Sequence, residues 1–96
     1  MSLLEGPMHP GEVLKELYLD PLDIGAIAFA RRLGVPRTRI ERLIKGTTGI
    51  TPDTALRLAR VFGTTPAYWV NLQMSYDMAV ASKEIDVSNI EPLIWA

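Results

Sequence analysis

The sequence predicts an all-α fold, one small domain of five helices. Apolar residues recur three and four positions apart, the spacing that places them along one face of a helix. Helix start signals built on proline and threonine alternate with single glycines of the kind that end helices. The length of 96 residues, with 48% hydrophobic content, suits one small core and leaves no room for two catalytic lobes.

The composition excludes several kinds of site. The chain has no cysteine and a single histidine, which rules out disulfides and thiolate sites, so we expect no metal and no cofactor. It has no nucleophile–base pair and no glycine-rich phosphate loop, so an enzyme is not predicted. The start MSLLEGPMHP lacks the features of a signal peptide, and no apolar run is long enough to cross a bilayer. We therefore expect a cytoplasmic protein without membrane contact.

The first two helices are bounded by proline and glycine. A first helix is predicted from Pro10, which suits an opening position, to Leu19, directly before Asp20 and Pro21. The apolar residues of this helix are Val13, Leu14, Leu17 and Tyr18. A second helix is predicted over residues 25–33, before a glycine suited to positive φ. Its apolar residues are Ile27, Ala30 and Leu33.

Three further helices follow the same rules. A third, residues 36–45, opens on a proline and closes on a glycine, and its apolar side carries Ile40, Leu43 and Ile44. Thr51 and Thr65, each followed by proline, are predicted N-caps of helices over residues 52–62 and 66–82. The residues of the fourth helix expected to face inward are Ala55, Leu56, Leu58, Ala59 and Phe62.

The chain therefore divides into three parts. Residues 1–9 are a short N-terminal arm, residues 10–82 form the helical domain, and residues 83–96 form a tail with a proline and no helical pattern. Because of Pro92 we expect the tail to be irregular or extended. Its apolar residues Ile90, Leu93, Ile94 and Trp95 are expected either to contribute to a dimer contact or to fold back on their own domain.

The second and third helices have the spacing of a helix-turn-helix at about residues 26–45. Two short helices that cross steeply need a small residue where their backbones approach, which Ala30 supplies. Gly34 suits the tight turn, and Ile40 and Leu43 supply apolar side chains that hold the second of the two helices.

Charge is strongly segregated along the chain. Residues 31–60 carry eight basic and two acidic residues, a net charge of +6, whereas the other residues carry two basic and nine acidic residues, a net charge of −7. A local positive field on a nearly neutral protein is what the phosphate backbone of double-stranded DNA would attract.

The outward face of the third helix carries the candidate DNA contacts. The residues predicted to contact bases are Arg37, Thr38, Glu41 and Arg42. For Glu41, an ion pair within the helix, with Arg37 or Lys45, is the alternative. The residues predicted to contact phosphates are Arg39, Lys45, Thr47 and Thr48, the last two in a loop where glycines permit close approach. We expect Arg31, Arg57 and Arg60 to be solvated and His9 to be a surface or capping residue.

The fifth helix carries two apolar stripes. One contains Trp69, Leu72 and Tyr76, and the other contains Val70, Met74 and Met78. A helix with two apolar faces in so small a domain indicates a homodimer, with Val70, Met74 and Met78 at the interface and Trp95 of the tail extending it. The alternative is a single helix that its own core buries on all sides.

Residues 37–73, RTRIERLIKGTTGITPDTALRLARVFGTTPAYWVNLQ, together with HPGEVLKE upstream, closely resemble HigA-type antitoxins. These are also known as VapI-like or plasmid-maintenance antidote proteins and belong to the lambda-repressor-like helix-turn-helix class. The resemblance covers roughly residues 8–82. It departs from the class at Ala26, where a phosphate-gripping glutamine is frequent, and in the apolar tail.

The resemblance implies a five-helix DNA-binding fold, a homodimer, and a transcriptional repressor that autoregulates its toxin–antitoxin operon. It also implies a HigB/RelE-like mRNA-cleaving toxin as partner. We expect that basic toxin to meet acidic residues outside the basic segment, namely Glu12, Glu16, Asp20, Glu84, Asp86 and Glu91. The alternatives are a stand-alone regulator with no toxin partner and a protein-binding adaptor on the same scaffold.

Overall fold

The computed structural model describes residues 7–94, which form five helices and no strand. Helix α1 consists of the consecutive stretches Pro10–Val13, Leu14–Leu19 and Asp20–Leu22, of which the middle one is π-helical. The other helices are α2 (Ala26–Leu33), α3 (Arg37–Lys45), α4 (Pro52–Phe62) and α5 (Pro66–Glu84). The predicted all-α class and the number of helices are confirmed.

Helix α1 continues past the point where we predicted its end. In the π-helical turn, the N–H of Asp20 bonds to the carbonyl of Lys15, five residues earlier. Proline disrupts regular pairing with the residue four positions back, and the wider turn replaces that pairing just before Pro21. The helix ends at Asp23, whose φ of 55° is left-handed. The predicted end at Leu19 was therefore wrong by about one helical turn.

The helix starts are held by side-chain caps. The hydroxyls of Thr51 and Thr65 accept hydrogen bonds from N–H groups in the first turns of α4 and α5, as predicted. His9 caps α1, because its Nδ1 accepts from the N–H of Gly11 at 2.9 Å. Its ring is buried and packs edge-to-face on Tyr76 of α5. His9 is thus a capping residue that also joins the first and last helices.

The core lies where all five helices meet. Trp69 of α5 is fully buried, and its indole N–H donates to the hydroxyl of Thr64 at 2.8 Å. Tyr18 and Phe62 pack against this ring with centroid separations of 5.2 and 6.0 Å. Around the aromatic group lie the buried side chains of Leu14, Leu19, Phe29, Leu33, Ile40, Leu43, Leu58 and Ile50.

Three residues predicted to lie on apolar faces are instead exposed. Leu56 is 61% exposed and Ile27 is 49% exposed, whereas Leu58 and Phe29, two positions further along the chain, are buried. Residues two apart on a helix point about 200° away from each other, so only one of each pair can face the core. Leu17 is exposed in the same way on α1.

Helix α3 is also held by close backbone contact with α1. A Cβ placed on the buried Gly11 would overlap the carbonyl oxygen of Leu43. Only a residue without a side chain permits this approach, so the start of α1 packs directly on the end of α3.

Helix α5 is longer than predicted and ends at Glu84 rather than Ser82. Its first apolar stripe packs on the core, whereas Met74 and Met78 of the second are 55% and 58% exposed in the single chain. The helix is therefore not buried on all sides by its own domain. The described part of the tail, residues 85–94, contains no helix or strand. No described helix has the length and apolar character needed to cross a membrane.

Candidate nucleic-acid interface

A tight turn joins α2 to α3. Gly34 has a φ of 73°, and the next N–H, that of Val35, bonds back to the carbonyl of Ala30 at 3.1 Å. Ala30 is buried at the crossing, and Ile40 and Leu43 bury the inner side of α3. This turn and these three buried contacts set the direction in which the outer side of α3 faces.

The outer side of α3 is polar and basic. Arg37, Thr38, Arg42 and Lys45 are exposed, and within residues 7–94 none of the three cations among them forms an ion pair. A groove of about 390 Å³ lies between α3 and the following loop and start of α4. Four of the predicted contact residues share its lining: Thr38, Arg39, Arg42 and Thr48.

Glu41 is half-buried on α3. Among the residues that the structure describes, no ion pair joins it to Arg37 or to Lys45. The carboxylate is therefore not neutralised within its own helix.

The loop after α3 begins with a cap on that helix. Gly46 is left-handed, with a φ of 80°. Both the N–H and the hydroxyl of Thr47 donate to the carbonyl of Arg42, at 3.0 and 3.1 Å. Phosphate oxygens only accept hydrogen bonds, so Thr47 would have to release this carbonyl in order to contact one. Thr48, exposed beside it, has no such bond in the described residues.

The end of the same loop is attached to α5. The side-chain oxygen of Gln73 accepts from the N–H of Ile50 at 2.6 Å, and a Cβ on Gly49 would lie 2.8 Å from the Gln73 side chain. Gly49 therefore permits close approach to α5. Gln73 was not among the predicted site residues, because in the sequence it is only a polar residue between two apolar stripes and no local signal marks it.

Arg39, a predicted phosphate contact, is engaged by an acidic residue. Its Nη1 donates to Oδ1 of Asp53 in the first turn of α4 at 2.7 Å. The Nε of Arg57 donates to the same oxygen at 2.7 Å. These guanidinium groups, that of Arg57 foremost, hold the pKa of Asp53 below its usual value.

Arg57 is not the solvated surface charge that we expected. Besides Asp53, its Nη1 donates to the carbonyl of Leu33 at 2.8 Å, at the end of α2. The side chain thus joins α4 to the turn of the helix-turn-helix. The spacing of four residues between Asp53 and Arg57 was a usable signal for the ion pair, although not for the carbonyl contact.

The predicted dimer residues lie together along α5. Val70 is 38% exposed in the single chain, and Met74 and Met78 follow at intervals of four residues. Trp95 lies outside the described residues.

Comparison with known proteins places this geometry in a family. The helix-turn-helix family matches residues 15–69. Virulence-associated protein I of Dichelobacter nodosus is 43% identical over 83 residues, which cover 86% of this chain and 77% of that protein. The Escherichia coli protein YddM, an uncharacterized HTH-type transcriptional regulator, is 35% identical over 86 residues, 90% of each chain. The solved structure of Pseudomonas aeruginosa antitoxin HigA with the higBA promoter has a TM-score of 0.82 and 38% identity, and covers 92% of this chain and 99% of that chain.

The chain belongs to the HigA-type helix-turn-helix family. The family match in this HigA-type chain runs from α1 to the start of α5, so it includes the α2–α3 turn and the whole of α3. It is a family of DNA-binding regulators, and none of the three relatives above is named as an enzyme.

Proposed function

We propose that the protein is a sequence-specific DNA-binding repressor that acts as the antitoxin of a type II toxin–antitoxin module. The observation that carries the DNA-binding part is the outer side of α3. It presents exposed Arg37, Arg42 and Lys45, which have no ion-pair partner among the described residues, on a helix-turn-helix whose inner side is buried. A rigidly held helix with an uncompensated basic face suits the major groove.

Base recognition is assigned to four residues of α3. Arg37 and Arg42 suit bidentate contact with guanine, and Thr38 suits a thymine methyl. Glu41, which has no ion pair within α3, is suited to accept from a cytosine amine. The shared groove lining of Thr38 and Arg42 supports their acting on neighbouring base pairs.

Phosphate contact is assigned foremost to Lys45 and Thr48. Lys45 is exposed at the end of α3, and Thr48 is exposed in the loop after it. Within residues 7–94, Lys45 forms no ion pair and the Thr48 hydroxyl forms no hydrogen bond. Arg39 and Thr47 could contact a phosphate only after leaving a partner in the folded chain, Asp53 for Arg39 and the Arg42 carbonyl for Thr47.

The proposed active species is a homodimer. The exposed stripe of Val70, Met74 and Met78 is an apolar surface that a twofold-related copy of α5 would cover. Two recognition helices on one side of the duplex then predict an inverted repeat with half-site centres about 34 Å, or a multiple of this distance, apart.

The proposed second partner is a small basic HigB/RelE-like toxin. Glu12 and Glu16 are exposed on α1, outside the basic segment of residues 31–60, while Asp20 is paired with Lys15 at 3.0 Å. Glu84, Asp86 and Glu91, at the end of α5 and in the tail, are also exposed. Acidic surfaces that lie outside α3 support simultaneous binding of toxin and DNA.

A stand-alone regulator is the second candidate function. It is favoured by the similarity to YddM over 90% of each chain, because that relative is named only as a regulator. The two candidates agree on DNA binding and differ only in the toxin.

Two experiments test the proposal. Footprinting on the protein's own promoter should protect an inverted repeat, and a promoter without a protected palindrome would argue against the repressor. Co-expression with the neighbouring gene should rescue growth and yield a co-purifying complex. If the neighbouring gene product is harmless, or if no complex forms, the stand-alone regulator is the supported function.

A further inference from the structure

Three charged side chains form a network beside the outer side of α3. One oxygen of Asp53 accepts from both Arg39 and Arg57, each at 2.7 Å, and Arg57 also donates to the Leu33 carbonyl. The network therefore links α3, the start of α4 and the end of α2.

Arg39 belongs to the surface proposed to meet DNA. It lines the same groove as Thr38 and Arg42. Of the two arginines in that lining, Arg42 has no ion pair in the described part of the chain, whereas Arg39 is bound to Asp53. The carboxylate thus neutralises one specific cation of the basic face.

This pair has little value for stability alone. The side chains of Arg39 and Asp53 are 39% and 52% exposed, and ion pairs at such positions contribute little to folding because water and salt screen them. Its larger effect is on how many free cations the protein presents to a polyanion. Each cation that meets a phosphate adds affinity for any duplex, regardless of sequence.

We propose that Asp53 is a specificity-determining residue that holds Arg39 away from the phosphate backbone. By removing one sequence-independent contact, Asp53 lowers affinity for random DNA and leaves the base contacts of Arg37, Thr38 and Arg42 unchanged. The ratio of operator affinity to random-duplex affinity is therefore higher with Asp53 than without it. The inference rests on the proposed DNA binding and assigns Asp53 a role that requires no contact with a base or a phosphate.

The test is Asp53→Asn, measured with a random-sequence duplex over a range of salt concentrations. Arg39 is then free to reach a phosphate, so the slope of log affinity against log salt should steepen by about 0.9. The ratio of the affinity of Asp53→Asn to that of the parent, both for random duplex, should accordingly fall about threefold between about 50 and about 200 mM salt. Its ratio of operator to random affinity should fall.

Two further variants show which cation is responsible. Arg39→Gln alone should leave the parent slope unchanged, because Arg39 is already held by Asp53. Arg39→Gln added to Asp53→Asn should return the slope to the parent value, since Arg57 remains on the Leu33 carbonyl. Asp53→Glu keeps the negative charge and should retain the parent slope. Circular dichroism of Asp53→Asn checks that this variant is folded.

Two results would overturn the inference: an unchanged slope in folded Asp53→Asn, or a slope lowered by about 0.9 in Arg39→Gln alone. Its failure is distinguishable from failure of the proposed function. A parent protein that binds random duplex but protects no operator contradicts only the repressor, whereas absence of binding to any duplex contradicts both.

Discussion

The side-chain oxygen of Gln73 in α5 lies 2.6 Å from the backbone nitrogen of Ile50, whose N–H it accepts. This bond attaches the loop that follows α3 to the helix that carries the proposed dimer stripe. Gln73→Ala would leave the partly buried N–H of Ile50 without a partner, so we expect the free energy of unfolding to fall by about 1 to 3 kcal/mol. Operator affinity should fall with it because the loop loses its anchor.

The matched control for Gln73 is Asp77→Asn. Asp77 accepts from the Gln73 amide group at 2.9 Å on the exposed side of α5, so its replacement should change stability by less than about 0.5 kcal/mol. Urea unfolding measures both variants. Equal losses of unfolding free energy in the two variants would show that the hydrogen bond from Ile50 to Gln73 stabilises the protein no more than the exposed bond to Asp77.

A second prediction concerns the contact between α1 and α3. Gly11→Ser places a Cβ against the Leu43 carbonyl, so we expect a loss of about 1 to 3 kcal/mol or more. Gly25→Ser is the control, because no atom lies within 4 Å of its added Cβ and serine is a favoured N-cap. Thermal unfolding should show a lower Tm only for Gly11→Ser. A Tm close to that of the parent for Gly11→Ser would contradict the close backbone approach.

A third prediction separates base contact from phosphate contact. Arg37→Ala should cost about 1 to 3 kcal/mol on the operator and relax discrimination at one base pair. Lys45→Ala should weaken all sequences alike and lower the salt slope by about one unit. Titrations with operator and random duplex at several salt concentrations decide between them. Equal losses on both duplexes for Arg37→Ala would exclude Arg37 as a base contact.

A fourth prediction tests the dimer stripe. Met78→Asp should shift sedimentation at micromolar protein toward the monomer and weaken operator binding, because a charge would be buried between the two copies of α5. Leu56→Asp is the control, since Leu56 is just as exposed, on α4, and should leave the dimer intact. A dimeric Met78→Asp would place the interface elsewhere.

A fifth prediction concerns alkaline pH. The hydroxyl of Tyr18 donates to that of Tyr68 at 3.2 Å, and this hydrogen bond, with burial, raises the pKa of Tyr18 to about 12. The unfolded chain loses this proton near pH 10, so the resulting stability is complete below that pH and is lost as pH rises toward 12. Urea unfolding across this range should show the decline. Tyr18→Phe should decline less steeply, and a parallel decline would assign the effect to other groups.

Local signals in the sequence were sufficient for most of the fold. Thr51 and Thr65 act through bonds to residues three positions away, and Gly34 acts through its own backbone angle, so no tertiary information is needed to identify them. The choice between Leu56 and Leu58 as the buried residue depends on where α2 and α5 lie, which periodicity alone does not specify.

The candidate site was predictable as a charged surface more than as a set of free side chains. The concentration of arginines around α3 is visible in the sequence, but the sequence does not show that Arg39 has an acidic partner and Arg42 has none among the described residues. The position of Asp53 in space makes them different. Gln73 and Arg57 act across 23 and 24 residues of sequence, on Ile50 and on Leu33, and pairings at such separations have no local signature.

The packing of Gly11 on the Leu43 carbonyl has a consequence for divergence among operators. The contact uses backbone atoms of α3 and makes no demand on the side chains of its outer side. Substitutions at the outward positions of α3 can therefore accumulate without disturbing the packing of α3 on α1. A lineage can change the promoter that it recognises while it inherits the same scaffold.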